Sequence, residues 1–237
     1  MEMVKIVFTP DWFLTGDVLI DIFSFVTLCL IFILAFKSYS LSKKKGTLYI
    51  GLGFLLIALA ELASILTKFV LYYDTSVTQE IGNAIITYEI VRSVDFFYYA
   101  GFFFSRLLML LGFYTIYKLP LKRVSGEFFL YIYFITIISF LSQPYYYIYH
   151  FTALVLLVFL INKYYRIYLK DKRINTKILV TSFALLAIGQ TVFLFSKLSY
   201  IYVIGQSIQL ISYIILLMLI IRIVKDGKKE KQNRNHA

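Results

Sequence analysis

Apolar runs about as long as a bilayer is thick recur along the whole of this 237-residue chain, and they limit its fold more than any motif does. An α-helix needs roughly 20 apolar residues to cross the hydrocarbon core, and a water-soluble domain does not need one such run after another. With 60% hydrophobic and 19% aromatic residues and only three prolines, the chain is greasier than a soluble domain, whose apolar share is roughly half. The pattern predicts an all-α, polytopic membrane protein built as one domain.

Hydropathy and turn signals divide the chain into seven expected spans: 18–36, 47–72, 94–117, 128–142, 145–162, 178–196 and 200–221. Most of the 24 Lys and Arg fall into four clusters, Lys37 to Lys45, Lys118 to Arg123, Lys163 to Lys177 and Arg222 to Arg234. Cytoplasmic loops are enriched in these residues, and all four clusters fall on one side only if the N-terminus is outside and the C-terminus inside. The net charge of +11 is thereby accounted for by topology, with no nucleic-acid partner. Gln143 and Pro144 are the one break in the aromatic stretch from Phe128 to Tyr149 and mark a tight external turn. Tyr145, Tyr146, Tyr147 and Tyr149 form an expected outer aromatic belt, and Tyr164, Tyr165 and Tyr168 an inner one. Residues 1–224 are thus the expected seven-helix bundle of a multi-pass cell-membrane protein, and 225–237 a disordered basic cytoplasmic tail. Cys29 stands alone, which excludes an intramolecular disulfide and a cysteine-rich metal motif.

Polar residues inside the spans are the only candidates for chemistry. Counted from the basic residue that ends each span, Asp21, Glu61, Arg106, His150, Gln190, Gln206 and Gln209 lie roughly 18 to 24 Å above the inner flank. Six expected helices therefore contribute to one layer. At about 100° per residue, Arg92, Asp95, Tyr99 and Arg106 share a face of the third helix, and Tyr202, Gln206, Gln209 and Tyr213 a face of the seventh. Asp17, Asp21 and Ser24 form a stripe on the first helix, and Glu61, Ser64 and Lys68 on the second. Such stripes must point inward, because lipid cannot satisfy them. Two readings are open: helix-packing glue, or a polar chamber opening outward with Lys68, Arg92 and Asp95 at its mouth. In the second, Arg106 needs a partner, and Glu61 is the one at its depth. His150 has a plainer alternative as an interfacial histidine beside the outer belt. Ser105 adjoins Arg106, and the two are expected on different faces.

Enzyme motifs are mostly absent: no phosphate loop, no nucleophile elbow, and only His236 beside His150, which nearly excludes multi-histidine zinc chemistry. Arg92-Ser-Val-Asp95 at the outer start of the third helix, with seven helices and an outside N-terminus, resembles the microbial rhodopsins and related sensory regions at the N-terminus of some histidine kinases. Rhodopsins also carry a lysine midway along the seventh helix to hold retinal. Tyr200 to Ile221 has none, so neither retinal nor any other cofactor is expected. What the resemblance implies is a sensor-type bundle without its kinase; with the outward polar chamber, the leading expectation is a sensory or receptor-like module that binds a small polar or anionic ligand there and signals to a separate partner at the cytoplasmic face. A small-molecule or proton-coupled transporter using Glu61, Asp21 and Arg106, and a structural membrane subunit, are the alternatives.

Overall fold

The apolar runs are helical in the computed structural model, which describes residues 9–43, 45–72, 93–118, 126–142, 145–196 and 198–235. A short 3-10 turn, Asp11–Phe13, leads into α1 (Leu14–Ser42), α2 (Lys45–Tyr72), α3 (Ser93–Tyr117), α4 (Gly126–Leu141), α5 (Tyr146–Asp171), α6 (Ile174–Phe193) and α7 (Ser199–Asn235). All of them except α4 carry a stretch long and apolar enough to cross a membrane, which makes the chain a multi-pass membrane protein. With 16 residues α4 is roughly 24 Å long, short of the roughly 30 Å hydrocarbon core. It takes the place of the span expected at 128–142. At the other end, α7 continues to Asn235, into the 225–237 stretch expected to be a disordered tail. Lys, Glu, Gln and Arg are good helix formers, and extending a helix already begun costs little.

Two helices stop on lysines rather than glycines. Lys43 and Lys172 take left-handed backbone angles, φ 53° and 51°, and their N–H groups donate to the Tyr39 and Tyr168 carbonyls at 2.7 Å. This conformation costs a residue with a Cβ roughly 1 to 2 kcal/mol, a cost that the satisfied carbonyls and the cationic side chains at a helix C-terminus offset. Both caps belong to basic clusters, so the same residues end the helices and build the charged loops. At a third basic site, Lys163 Nζ donates to the carbonyls of Ile116 and Tyr117 at the end of α3.

Side-chain pairs fix the helix directions. Gly53 packs beside Gly112, and Thr67 beside Gly101, so α2 and α3 are antiparallel. A Cβ built on Gly112 would lie 2.5 Å from Ile57 Cγ1 and 2.8 Å from the Gly53 carbonyl. Only glycine permits that approach, the small-residue packing that holds helices together where lipid removes the hydrophobic drive. Tyr131, early in α4, meets Tyr114, late in α3, at 4.9 Å, and Ser142, just past α4, meets Arg106, so α4 runs back along α3. Tyr149, early in α5, lies over Arg106, so α5 runs parallel to α3.

α1, α2, α3, α5, α6 and α7 pack in that order around a ring that closes where α7 meets α1, and α4 lies outside it against α3 and α5. The apolar core fills the end of the ring that bears the basic turns. There Phe54 stacks on Phe183 at 6.4 Å, Tyr164 packs on the same ring at 5.9 Å, and Leu157, Leu160 and Leu216 are buried around them. Tyr164, assigned by sequence to the inner belt, is a core residue: its position on α5 faces α6, not the bilayer. The outward faces carry large exposed apolar side chains, among them Leu19, Ile33, Leu66, Phe129 and Phe140, as contact with lipid requires.

Candidate functional site

At the other end of the ring the core is polar, because α1 brings two acidic residues inward on successive turns. Asp17 and Asp21, like charges four residues apart, destabilise an isolated helix. Lys68 of α2 resolves the conflict, with Nζ 2.9 Å from Asp17 Oδ1 and 2.7 Å from Asp21 Oδ2. All three side chains are buried. Further donors reach the carboxylates: Tyr202 Oη donates to Asp17 Oδ1 at 2.9 Å and Thr9 Oγ1 to Oδ2 at 3.2 Å, while Ser64 Oγ donates to Asp21 Oδ2 at 2.9 Å. Buried ion pairs persist only when their remaining polar atoms are satisfied in this way. Lys68 was expected at an open mouth and instead lies inside, because its stem carries the ammonium back along α2 to α1.

Below this cluster lie two charges that have no ionic partner among the described residues. Glu61, 4% exposed, accepts hydrogen bonds at Oε1 from Tyr213 Oη (2.8 Å) and Gln209 Nε2 (3.4 Å). Arg106 donates from Nη1 to the Ser142 carbonyl (2.6 Å) and to Ser142 Oγ (3.1 Å), and its guanidinium lies 5.6 Å from the Phe102 ring and 5.7 Å from the Tyr149 ring. The Glu61–Arg106 ion pair expected from their common depth is not formed. Neutral groups hold each charge in place: a carbonyl past the end of α4 draws the arginine to one side, and two α7 side chains hold the carboxylate on the other.

Glu61 and Arg106 both line a cavity of about 140 Å³, together with Asp21, Ser64, Lys68, Ser105, His150, Gln190, Gln206 and Gln209. The cavity has room for a few waters or one small solute. His150 Nδ1 lies 2.8 Å from Gln190 Oε1 and its ring stacks 5.1 Å from Phe193, so it belongs to the cavity wall rather than to an interfacial belt. Tyr149 likewise leaves the expected outer belt; it is buried, covers Arg106 and lines the cavity. Ser105 and Arg106 both reach the cavity, since a 100° step between neighbours still fits the wall of a wide cavity.

Eight of the eleven residues singled out by sequence therefore meet at one cavity: Asp21, Glu61, Lys68, Arg106, His150, Gln190, Gln206 and Gln209. Tyr99 packs edge-on against Tyr98 at 5.1 Å and is not part of the cavity wall. Asp95 lies in the first turn of α3 with its side chain undescribed, and Arg92 lies outside the described residues. The sequence did not single out Asp17, Ser64, Tyr149 or Ser142 as site residues; Tyr149 was expected in the outer belt. Asp17 and Ser64 were visible as parts of polar stripes, whereas Ser142 acts through its backbone carbonyl and carried no signal.

Among the described residues, one atom of the wall has no partner. Tyr202 Oη gives its proton to Asp17, so it must accept from Gln206 Nε2, 2.9 Å away. That fixes the amide orientation and leaves Gln206 Oε1 buried with no hydrogen bond. Among the described residues no group of three or more His, Cys, Asp or Glu converges to hold a metal ion. The site offers a cationic donor, an anionic acceptor and an unused amide oxygen around a small space. Comparison with protein-family models, curated proteins and solved structures finds no match to this chain.

Proposed function

We propose that this membrane protein is a receptor-like module that binds a small polar or anionic solute in the cavity and signals to a separate partner at its cytoplasmic face. The observation that carries the reading is a pair of ionisable side chains, the buried Glu61 and the half-buried Arg106, which line one cavity and have no ionic partner among the described residues. Ions used only to hold membrane helices together are expected to pair with each other, as Lys68 does with Asp17 and Asp21. Glu61 and Arg106 leave their strongest interaction to a visitor.

The proposal includes seven crossings of the cell membrane, with the N-terminus and the cavity on the outer side and Lys43, Lys118, Lys172 and Arg222 on the inner side. Two features support it: the direction of α4, antiparallel to α3 and to α5, and the gathering of basic residues at the end of the ring away from the cavity. The resemblance to seven-helix sensory regions points the same way. In the carrier alternative, the Asp17–Lys68–Asp21 cluster beside the cavity would exchange its ion pairs as solute or protons pass.

A screen of small polar solutes against the purified protein in nanodiscs tests the reading, with saturable stabilisation against unfolding as the readout and flux of each hit measured in proteoliposomes. Binding without flux is the expected result. Flux would make the protein a carrier, and a screen in which nothing binds would reduce the polar layer to helix-packing glue.

A further inference from the structure

We propose that the solute is a small zwitterion, whose carboxylate meets Arg106 and whose ammonium meets Glu61 and the amide oxygen of Gln206. The inference rests on the cavity reading above and adds the chemical class of the ligand.

The cavity wall has three open valences of two kinds. Arg106 has five N–H donors in a planar fork suited to a carboxylate, and the hydrogen bonds it makes to Ser142 both come from Nη1. Among the described residues, Glu61 is bonded only to neutral donors, both at Oε1. Gln206, 6% exposed, has in Oε1 a buried acceptor that lacks a donor among the described residues, and buried acceptors seldom go without one. A simple anion would answer Arg106 and add a second negative charge opposite Glu61. A simple amine would answer Glu61 and Gln206 while leaving the guanidinium uncompensated. A solute bearing both charges answers all three.

The remaining ionic groups of the wall do not compete for it. Lys68, the other cation, is bound to two carboxylates, and Asp21 is bound to Lys68 and Ser64. Nor do Glu61 and Arg106 collapse onto each other. Ser142, Phe102 and Tyr149 hold one, and Tyr213 the other, so the two charges are fixed in advance of binding and little ordering is left to oppose it. The volume of about 140 Å³ falls well below the roughly 300 to 1,000 Å³ of drug-sized sites and suits a compound the size of a small amino acid.

The test titrates the full-length protein in nanodiscs with the α-amino acids and the ω-amino acids from β-alanine to 5-aminopentanoate, alongside the one-charge probes butyrate and butylamine, and reads stabilisation against unfolding. At least one zwitterion should bind saturably and at least tenfold more tightly than either one-charge probe. Glu61→Gln and Arg106→Gln should each remove that advantage; if either variant fails to fold, the comparison of probes on the unmodified protein decides alone. Butyrate or butylamine binding as tightly as every zwitterion would overturn the proposal while the cavity reading stands. No binding by any amino acid would also overturn it, and the wider solute screen would then show separately whether the cavity binds anything.

Discussion

Replacing Lys68 with methionine should be among the most damaging single changes that can be made in this protein. The substitution keeps the length of the side chain and removes the ammonium that lies 2.9 Å from Asp17 and 2.7 Å from Asp21. It leaves two carboxylates, 0% and 2% exposed, one turn apart on α1. Stranding a buried charge in this way costs about 3 to 5 kcal/mol, a large part of the roughly 5 to 15 kcal/mol by which a folded chain is stable. Asp17→Asn should be milder, near 1 to 2 kcal/mol, because it leaves a one-to-one Asp21–Lys68 pair and an amide oxygen that still accepts from Tyr202. The triple change Asp17→Asn, Asp21→Asn, Lys68→Met strands no charge and should recover much of the loss. SDS-induced unfolding followed by far-UV circular dichroism gives the order: wild type, Asp17→Asn, triple variant, Lys68→Met. A Lys68→Met protein that unfolds at the wild-type midpoint, or a triple variant no better than Lys68→Met, would refute the account of a buried, mutually dependent cluster.

Two further outcomes follow from the packing. Gly112→Val should lower the unfolding midpoint by about 1 to 3 kcal/mol equivalent, since the added carbon meets Ile57 and the Gly53 carbonyl, whereas Gly46→Ala, with nothing within 4 Å of its Cβ, should leave the midpoint unchanged or raised. A double-mutant cycle of Glu61→Gln and Arg106→Gln should give a coupling well below the roughly 3 to 5 kcal/mol that breaking a direct buried pair costs; a coupling of that size would put the two side chains in contact.

The helices and the polar layer were legible in the sequence because a bilayer imposes two strict rules: length for an apolar run, and an inward direction for a polar residue within it. Counting depth from the basic flank was enough to bring residues from α1, α2, α3, α5, α6 and α7 to one cavity. Depth says nothing of azimuth, however, and azimuth decides who pairs with whom. Arg106 was matched with Glu61 by level, yet a serine carbonyl past α4 and two aromatic faces hold it, and a carbonyl partner leaves no trace in residue identity. Lys68 was placed at a mouth because it stands near the end of α2, but a lysine stem spans more than a helical turn and its ammonium lies with Asp17 and Asp21. Tyrosines misled for a related reason. Tyr149 and Tyr164 stand at the depths of the two belts and still turn inward, since belt membership depends on the face of the helix as much as on the level.

The central claim, a water-accessible polar cavity at the N-terminal end of the bundle, is tested most directly by thiol chemistry at its wall. In a Cys29→Ser background, Ser105→Cys lines the cavity and Leu66→Cys lies on an apolar face 59% exposed toward lipid. A small membrane-impermeant thiosulfonate added on the N-terminal side should modify Ser105→Cys much faster than Leu66→Cys, and the same reagent on the other side should modify neither at a comparable rate. Equal, slow modification of both positions from both sides would contradict the claim.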